Sequence, residues 1–460
     1  MTIDNWAYRS DKTYNCEFKD MTIRYDKYKD SGVEWIGEIP SHWSTIKVKY
    51  LAKENVQYGL NIGSENYVEN GVRFLRTTDI DDYGKIQDEG VFLSNDAVDA
   101  CYILKEGDFL ISRSGTIGRA YVHGKQKVKY SYAGYLVRFV FGYFTYAKYL
   151  FYITKSESFA QWLASMSVES TIGNVNGQKY ANFQFMLPSK EETETILHFL
   201  DAKTSKIDML IEAKRRQIEL LKEQRTAVIN HAVTKGLDPN VEMKDSGVYW
   251  LGEIPKHWGV KKLKYLLVGK LKYGANESAE SDDKSMPRYI RITDFGENGV
   301  LKDETFRSLP MGIAKEYLLN EGDILFARSG ATVGKTFQFK NYNGVACFAG
   351  YLIKASPDSQ ICLSDFLYYF TKSLLYENWK NSVFIQATIQ NIGADKYQNL
   401  MVVLPPIEEQ YKITNYIESE LSKIGKIISK AEKQIELLTE YRTALISEAV
   451  TGKIDVRREC

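Results

Sequence analysis

Residues 29–51 read KDSGVEWIGEIPSHWSTIKVKYL, and residues 244–266 read KDSGVYWLGEIPKHWGVKKLKYL. Sixteen of these 23 aligned positions are identical, at an offset of 215. The offset persists through EGDFLISRSGTIG, from Glu106, and EGDILFARSGATVG, from Glu321. It grows to 216 at AGYL (Ala133, Ala349) and to 217 at QIELL (Gln217, Gln434). Two one-residue slips over so long a stretch mark one duplicated unit. The period far exceeds the roughly 20–50 residues of solenoid arrays. A duplication of this size predicts two similar domains, and two similar domains suggest a ligand with two similar parts.

The chain has 460 residues, enough for two domains that each bury a core. Six of the seven Trp pair across the repeat: Trp35 with Trp250, Trp43 with Trp258, and Trp162 with Trp379. Only Trp6 is unpaired. Large aromatics kept in both copies read as core anchors. The net charge of +1 lacks the basic excess that many nucleic-acid binders carry, although local basic patches fit beneath a balanced sum. The five Cys (16, 101, 347, 362 and 460) form no CxxC, and none recurs in both copies. That pattern predicts reduced thiols in a cytoplasm, with no disulfide framework and no metal site. The sequence has no apolar run long enough for a membrane span and no apolar core of a signal peptide near its start. Residues 1–28 have no counterpart in the second copy and read as an N-terminal extension.

Each unit repeats one order: the SGVxWxGEIPxHW block, a β-rich stretch, then a long helix. Gly32, Gly37 and Pro40 among aromatics make the opening block a packed, turn-rich segment. Strands are predicted over 72–80, 109–115, 120–124 and 135–141, and in the second copy over 288–295 and 324–330. Residues 147–166 carry helical spacing, so each domain mixes α and β. Pro188 opens the first long helix, with Ser189 and Glu192 at capping-box spacing. Pro405 and Pro406 open the second, with Glu408 and Glu409 in its first turn, where the helix dipole favours acids. Gly236 and Gly452 follow as stops. Heptad positions a and d carry Ile207, Ile211, Ile218 and Leu221 in the first helix, and Ile424, Ile428, Ile435 and Leu438 in the second. A seam this narrow, flanked by Lys, Glu and Gln, suits a coiled-coil partner, and each helix has one in the same chain. Arg225 and Arg442 interrupt the seam and are expected to snorkel or to pair with an acid.

The segment GATVGKT (330–336) resembles a phosphate-binding P-loop, but its spacer is one residue short, with Ser329 where a Gly is needed. The first copy has Arg119 and Ala120 in place of the Lys and Thr, so no nucleotide site is expected. The loop has another use. Alternating Phe109 and Ile111 lead to Arg113, and Ile324 and Phe326 lead to Arg328. Each Arg ends an apolar strand and is followed by Ser-Gly with exposed backbone N–H groups. An Arg there can read a guanine edge or hold a phosphate; the plainer alternative is a Gly-rich hairpin whose Arg pairs with a local acid. The candidate DNA-facing residues are Arg113, Ser114, Gly115 and Thr116, with Arg328, Ser329 and Gly330. Arg76 and Arg291 are second candidates, equally readable as buried ion pairs.

No catalytic constellation is visible. His42 and His257 are the only repeated His, each inside an IPxHW block, where they read as structural. Nucleophile-elbow, zincin and kinase signatures are missing, as is the Asn/Asp-Pro-Pro-aromatic motif of DNA aminomethyltransferases. The residues favour a binding or assembly protein.

In order and duplicated, SGVEWIGEIPSHW/SGVYWLGEIPKHW, GDFLISRSGTIG/GDILFARSGATVG, LPSKEETETI/LPPIEEQYKI and QIELLKEQRTAVINHAVTKG/QIELLTEYRTALISEAVTGK closely resemble the specificity (S) subunits of type I restriction–modification systems. The resemblance runs from about residue 28 to the end of the second helix. It implies an α+β fold with two tandem target-recognition domains, 29–187 and 237–404. These would be separated by conserved helices at 188–236 and 405–452, paired as an antiparallel coiled coil with pseudo-two-fold symmetry; residues 453–460 would form a tail. Each domain would read one half of a bipartite site in double-stranded DNA. The helices would act as a ruler and dock two methyltransferase (M) subunits, with restriction (R) subunits joining. No cofactor is implied in this chain; S-adenosylmethionine, ATP and Mg would serve the partners. The equivalent subunit of a type II system with fused modification and cleavage, and a coiled-coil scaffold with no DNA role, are the competing readings. The recognition segments diverge more than the scaffold: 56–76 faces 271–291, and 137–170 faces 353–387. Two different half-sites would produce that pattern.

Overall fold

The computed structural model describes residues 23–168, 174–278, 280–296, 299–330, 332–385 and 391–458. Most of the expected N-terminal extension, with Trp6, Cys16 and Cys460, lies outside the described residues. The chain divides into two units, Met1–Lys214 with Lys433–Cys460, and Arg215–Glu432. Each unit therefore holds one recognition region with the first part of one long helix and the last part of the other.

The β-branched and aromatic runs form the same sheet twice. In the first unit four antiparallel strands lie in the order Gln57–Tyr58, Leu136–Phe139, Phe109–Ser112 and Ala120–Val122. In the second unit the order is Lys272–Tyr273, Leu352–Ala355, Ile324–Ala327 and Thr336–Gln338. The central pair of strands in the first unit is buried along its whole length. A smaller sheet stands beside each. Val72–Leu75 pairs antiparallel with Val91–Leu93 and parallel with Tyr130–Tyr132; Arg288–Ile290 pairs parallel with Ala346–Phe348.

Two departures from the sequence expectation have local causes. The strands predicted over 72–80 and 288–295 stop at Leu75 and Ile290, because Asp79 and Asp294 fold back to accept the backbone N–H of Arg76 (2.9 Å) and of Arg291 (2.6 Å). That contact starts a 3-10 turn in each copy. The helix predicted over 147–166 is two helices, Phe144–Ile153 and Glu157–Val168. Between them the Thr154 and Ser156 hydroxyls donate to the carbonyls of Phe151 and Ile153, competing with helical bonding.

The duplicated IPxHW block clamps the long helices. Tyr28–Asp30 pairs with Glu38–Pro40, and Met243–Asp245 with Glu253–Pro255. Trp43 and Trp258 are fully buried. A Cβ added at Gly452 would meet the Trp43 ring at 3.1 Å, and one at Gly236 would meet Trp258 at 3.2 Å. Both glycines also hold the left-handed conformation of a helix stop (φ +71° and +76°). His42 bonds Glu192 at 2.9 Å, and His257 bonds Glu409 at 2.8 Å. Each block thus touches the start of one long helix and the end of the other.

The long helices run Lys190–Lys235 and Ile407–Val450. Ser189 caps the first by accepting the Glu192 N–H at 3.2 Å, whereas the Glu192 carboxylate turns to His42 rather than closing a capping box. Within the first unit the helices are antiparallel. Asp208 pairs with Arg442 at 2.9 Å, while Glu192, earlier in the first helix, lies 3.9 Å from Arg457, beyond the end of the second. Ile207 and Ile211 share a core with Leu445, Ile446 and Ala449. In the second unit Ile229, Ala232 and Val233 share a core with Ile413 and Ile417. Ile207, Ile211 and Ile424 are buried; Ile218, Leu221, Ile428, Ile435 and Leu438 are half-buried between more exposed neighbours. Arg442 pairs with an acid as expected and lies over the Tyr83 ring at 4.7 Å. Arg225 acts electrostatically on Tyr368 and Lys372.

Candidate nucleic-acid interface

Arg113 and Arg328 stand just past the ends of strands Phe109–Ser112 and Ile324–Ala327, as their sequences predict. Their backbones remain in the sheet. The Arg113 N–H donates to the Tyr135 carbonyl (2.9 Å), and the Arg328 N–H to that of Tyr351 (3.0 Å). Their carbonyls accept the N–H groups of Val175 (3.0 Å) and Ile392 (2.8 Å). Neither guanidinium has an acid partner among the described residues. Instead each lies over a tyrosine ring: Arg113 over Tyr58 at 5.0 Å and Arg328 over Tyr273 at 4.9 Å. These tyrosines are held in turn, since their hydroxyls accept the N–H groups of Gly177 and Ala394, both at 2.9 Å. Stacking on a fixed ring orients the guanidinium without neutralising it. Arg113 Nε also reaches Asn174 Oδ1 at 3.4 Å, whereas Arg328 Nε is buried without a hydrogen-bond partner. Among the described residues, Ser114 is half-buried, Gly115 and Thr116 are exposed, Ser329 is half-buried and Gly330 is exposed. Among the described residues, the partner of each guanidinium is therefore a ring rather than a local acid.

Arg76 and Arg291 are different. Arg76 binds the buried Asp79 through Nε (3.2 Å) and a terminal nitrogen (2.7 Å). Arg291 binds the buried Asp294 in the same way (3.2 and 3.0 Å) and also donates to the Thr305 carbonyl at 2.6 Å. These two are ion-pair residues of the 3-10 turns, with part of each side chain still exposed.

The structure adds residues that the sequence did not single out. Tyr135 and Tyr351 follow the glycines of AGYL and are 61% and 67% exposed. Asn61 and Asn276 are exposed beside them. A Cβ on Gly134 or Gly350 would lie 2.1 or 1.9 Å from the Asn oxygen, so only glycine permits this approach. Two bridges lock the arrangement, Leu60 with Ala133 and Ala275 with Ala349, both parallel. Each domain thus gathers a stacked Arg, an exposed Tyr and an exposed Asn at one end of its four-stranded sheet. The available signal was identity at the repeat offset: Tyr58-Gly59-x-Asn61 recurs as Tyr273-Gly274-x-Asn276.

Among the described residues no cluster of His, Cys, Asp or Glu could hold a metal, and no helix is long and apolar enough to cross a membrane. Cys101, Cys347 and Cys362 are free thiols.

A family profile described as type I restriction modification DNA specificity domain matches residues 61–220 and 255–439, most of the chain. The type I restriction enzyme MjaVIII specificity subunit of Methanocaldococcus jannaschii is 26% identical over 328 residues, covering 67% of this chain and 70% of that protein. The StySPI specificity subunit of Salmonella potsdam is 21% identical over 442 residues, covering 91% and 90%. A chain from a structural study of complex assembly and conformational transition of the type I R-M system superposes with a TM-score of 0.68 at 15% identity, over 90% of this chain and 98% of its own.

Proposed function

The chain belongs to the type I restriction–modification DNA specificity family, and we propose that it reads a bipartite site in double-stranded DNA for a modification and restriction complex. It is a specificity subunit with two recognition domains. The observation that carries the finer reading is the duplication itself: two domains with one architecture and one orienting Arg–Tyr stack, but divergent loops around it. Each domain reads one half-site. The paired helices space the domains and dock two M subunits, and R subunits join that core in the cytoplasm. Methyl transfer from S-adenosylmethionine and ATP-dependent DNA translocation belong to those partners. This chain's contribution is recognition and spacing.

The test is selection from a random duplex library by the full chain assembled with its M partner. Two fixed half-sites separated by a constant gap are expected. Recovery of no enriched sequence, or of a single continuous site, would overturn the reading.

A further inference from the structure

We infer that each recognition domain carries the same sequence-independent clamp for the DNA backbone, built from Arg113, Tyr135 and Asn61 in the first domain and Arg328, Tyr351 and Asn276 in the second. The inference rests on the DNA reading above and divides its labour. Base discrimination belongs to the surrounding segments that differ between the domains; the clamp holds what every half-site shares, the sugar-phosphate chain.

Three observations carry it. First, the same residues recur in both domains, down to the Gly that admits the Asn oxygen and the Tyr under the Arg. One set of donors in one geometry presents one pattern, and one pattern does not distinguish two different half-sites. Second, the chemistry is that of phosphate binding. Arg, Tyr and Asn side chains and free backbone N–H groups are the usual phosphate partners, and such contacts fix register while carrying no sequence. Third, among the described residues the cluster has few acceptors of its own. The Arg328 guanidinium has no acceptor among the described residues, and Arg113 has only Asn174. Tyr135 and Tyr351 hold most of their surface in water beside these cations. A phosphate oxygen would supply a charged acceptor, which neither arginine has among the described residues. The stack on Tyr58 or Tyr273 keeps each Arg aimed before DNA arrives.

The experiment measures affinity by fluorescence anisotropy, with the full chain assembled with its M partner, across a series of salt concentrations. Three duplexes are used: one with the methylated motif, one with a mismatched half-site, and one unrelated. Arg113→Ala, Arg328→Ala, Tyr135→Ala and Tyr351→Ala are each expected to weaken binding to all three duplexes by a similar factor, on the order of tenfold. The ratio between matched and mismatched duplexes stays within twofold of wild type, and the methylated motif is unchanged. The Arg→Ala variants flatten the salt dependence by about one. Arg113→Lys retains the wild-type salt slope, because it keeps the charge, and this separates a lost contact from a damaged fold. The Tyr variants leave the slope unaltered. Loss of affinity on the matched duplex alone, a relaxed motif position, or no loss at all overturns the inference. If the wild-type complex shows no preference for its motif, the DNA-specificity reading itself has failed, and that result is distinct.

Discussion

The two recognition domains solve one packing problem with different side chains. Beneath the four-stranded sheet of the first, Asp108 pairs with Arg138 at 2.9 Å, both buried. In the second the same place holds Asp323 and Lys354 at 3.3 Å. Arg138 also donates to Gln57 and to the Cys101 carbonyl, so its fork joins an edge strand to a loop. Lys354, a point charge, donates to the Leu318 carbonyl besides its acid and lies over the Phe348 ring at 5.9 Å. The next buried Arg differs too. Arg73 donates to three carbonyls and to Asp79. Its counterpart Arg288 donates to one carbonyl, that of Lys302 (2.5 Å), pairs with Asp303 at 3.5 Å and lies near the Phe306 and Tyr342 rings, with Nε unpartnered among the described residues, beside a cavity of about 430 Å³. The scaffold therefore tolerates exchange of the groups that satisfy a buried charge, provided some partner remains. The Arg–Tyr–Asn cluster keeps the same three residue types in both domains.

The largest effect is expected at the buried pair. Arg138→Met would leave Asp108 charged and buried, where burial already holds its pKa above the ordinary carboxylate value despite the Lys105 N–H and the Arg138 guanidinium. The first domain should lose about 3–5 kcal/mol. Lys354→Met should cost the second domain less, since Lys354 donates to fewer groups. Hydrogen exchange, domain by domain, measures both; equal losses would break the comparison.

A smaller effect is expected at the 3-10 turns. Asp79 has two cations, Arg76 and Arg73, whereas among the described residues Asp294 pairs with Arg291. Arg291→Ala should therefore destabilise its domain by about 2–3 kcal/mol, and Arg76→Ala by about 1 kcal/mol. Denaturant titration followed by exchange at each turn would show the order, and a reversed order would contradict the account.

The helix clamp comes next. Glu192 is buried and Glu409 is a quarter exposed, so His42→Ala should cost more than His257→Ala, each about 1 kcal/mol. Thermal melting of the two variants checks this.

The smallest effect is a pH dependence. Burial pushes the Lys155 ammonium down to about 8, against the nearby Asp82 and Asp81 carboxylates. The folded state therefore disfavours the charged form that the unfolded chain keeps up to its ordinary pKa. This penalty is complete below pH 8 and fades as pH rises to about 10.5. Lys155→Met should raise Tm by about 1–2 °C at pH 7 and by nothing near pH 11. A gain that grows with pH would contradict the sign.

Much of this was legible in the sequence because it was local or periodic. The heptads located both long helices, and Gly236 and Gly452 marked their ends, since helix caps are written within a few residues. The strands leading to Arg113 and Arg328 were legible from their apolar alternation. What stayed hidden was contact between distant segments. Nothing near Arg113 announces Tyr58, which is 55 positions away and one strand beyond the neighbour. The parallel pairing of Val72–Leu75 with Tyr130–Tyr132 is equally non-local. The 3-10 turns were missed because Asp79 and Asp294 sit on β-like sequence, and their backbone contact overrides that propensity. Arg225 and Arg442 occupy equivalent seam positions, but the acid that Arg442 binds, Asp208, is matched by Gly425 in the other copy.

The central claim is that two separate domains read two separate half-sites. Methylome sequencing of a host carrying this chain with its M partner tests it most directly, run beside a variant in which residues 29–187 are replaced by the corresponding domain of a relative. The account predicts one bipartite motif for the parent, and for the variant a motif with one half-site changed and the other half-site and gap retained. A parent motif without two parts, or a replacement that alters both half-sites or neither, would contradict it.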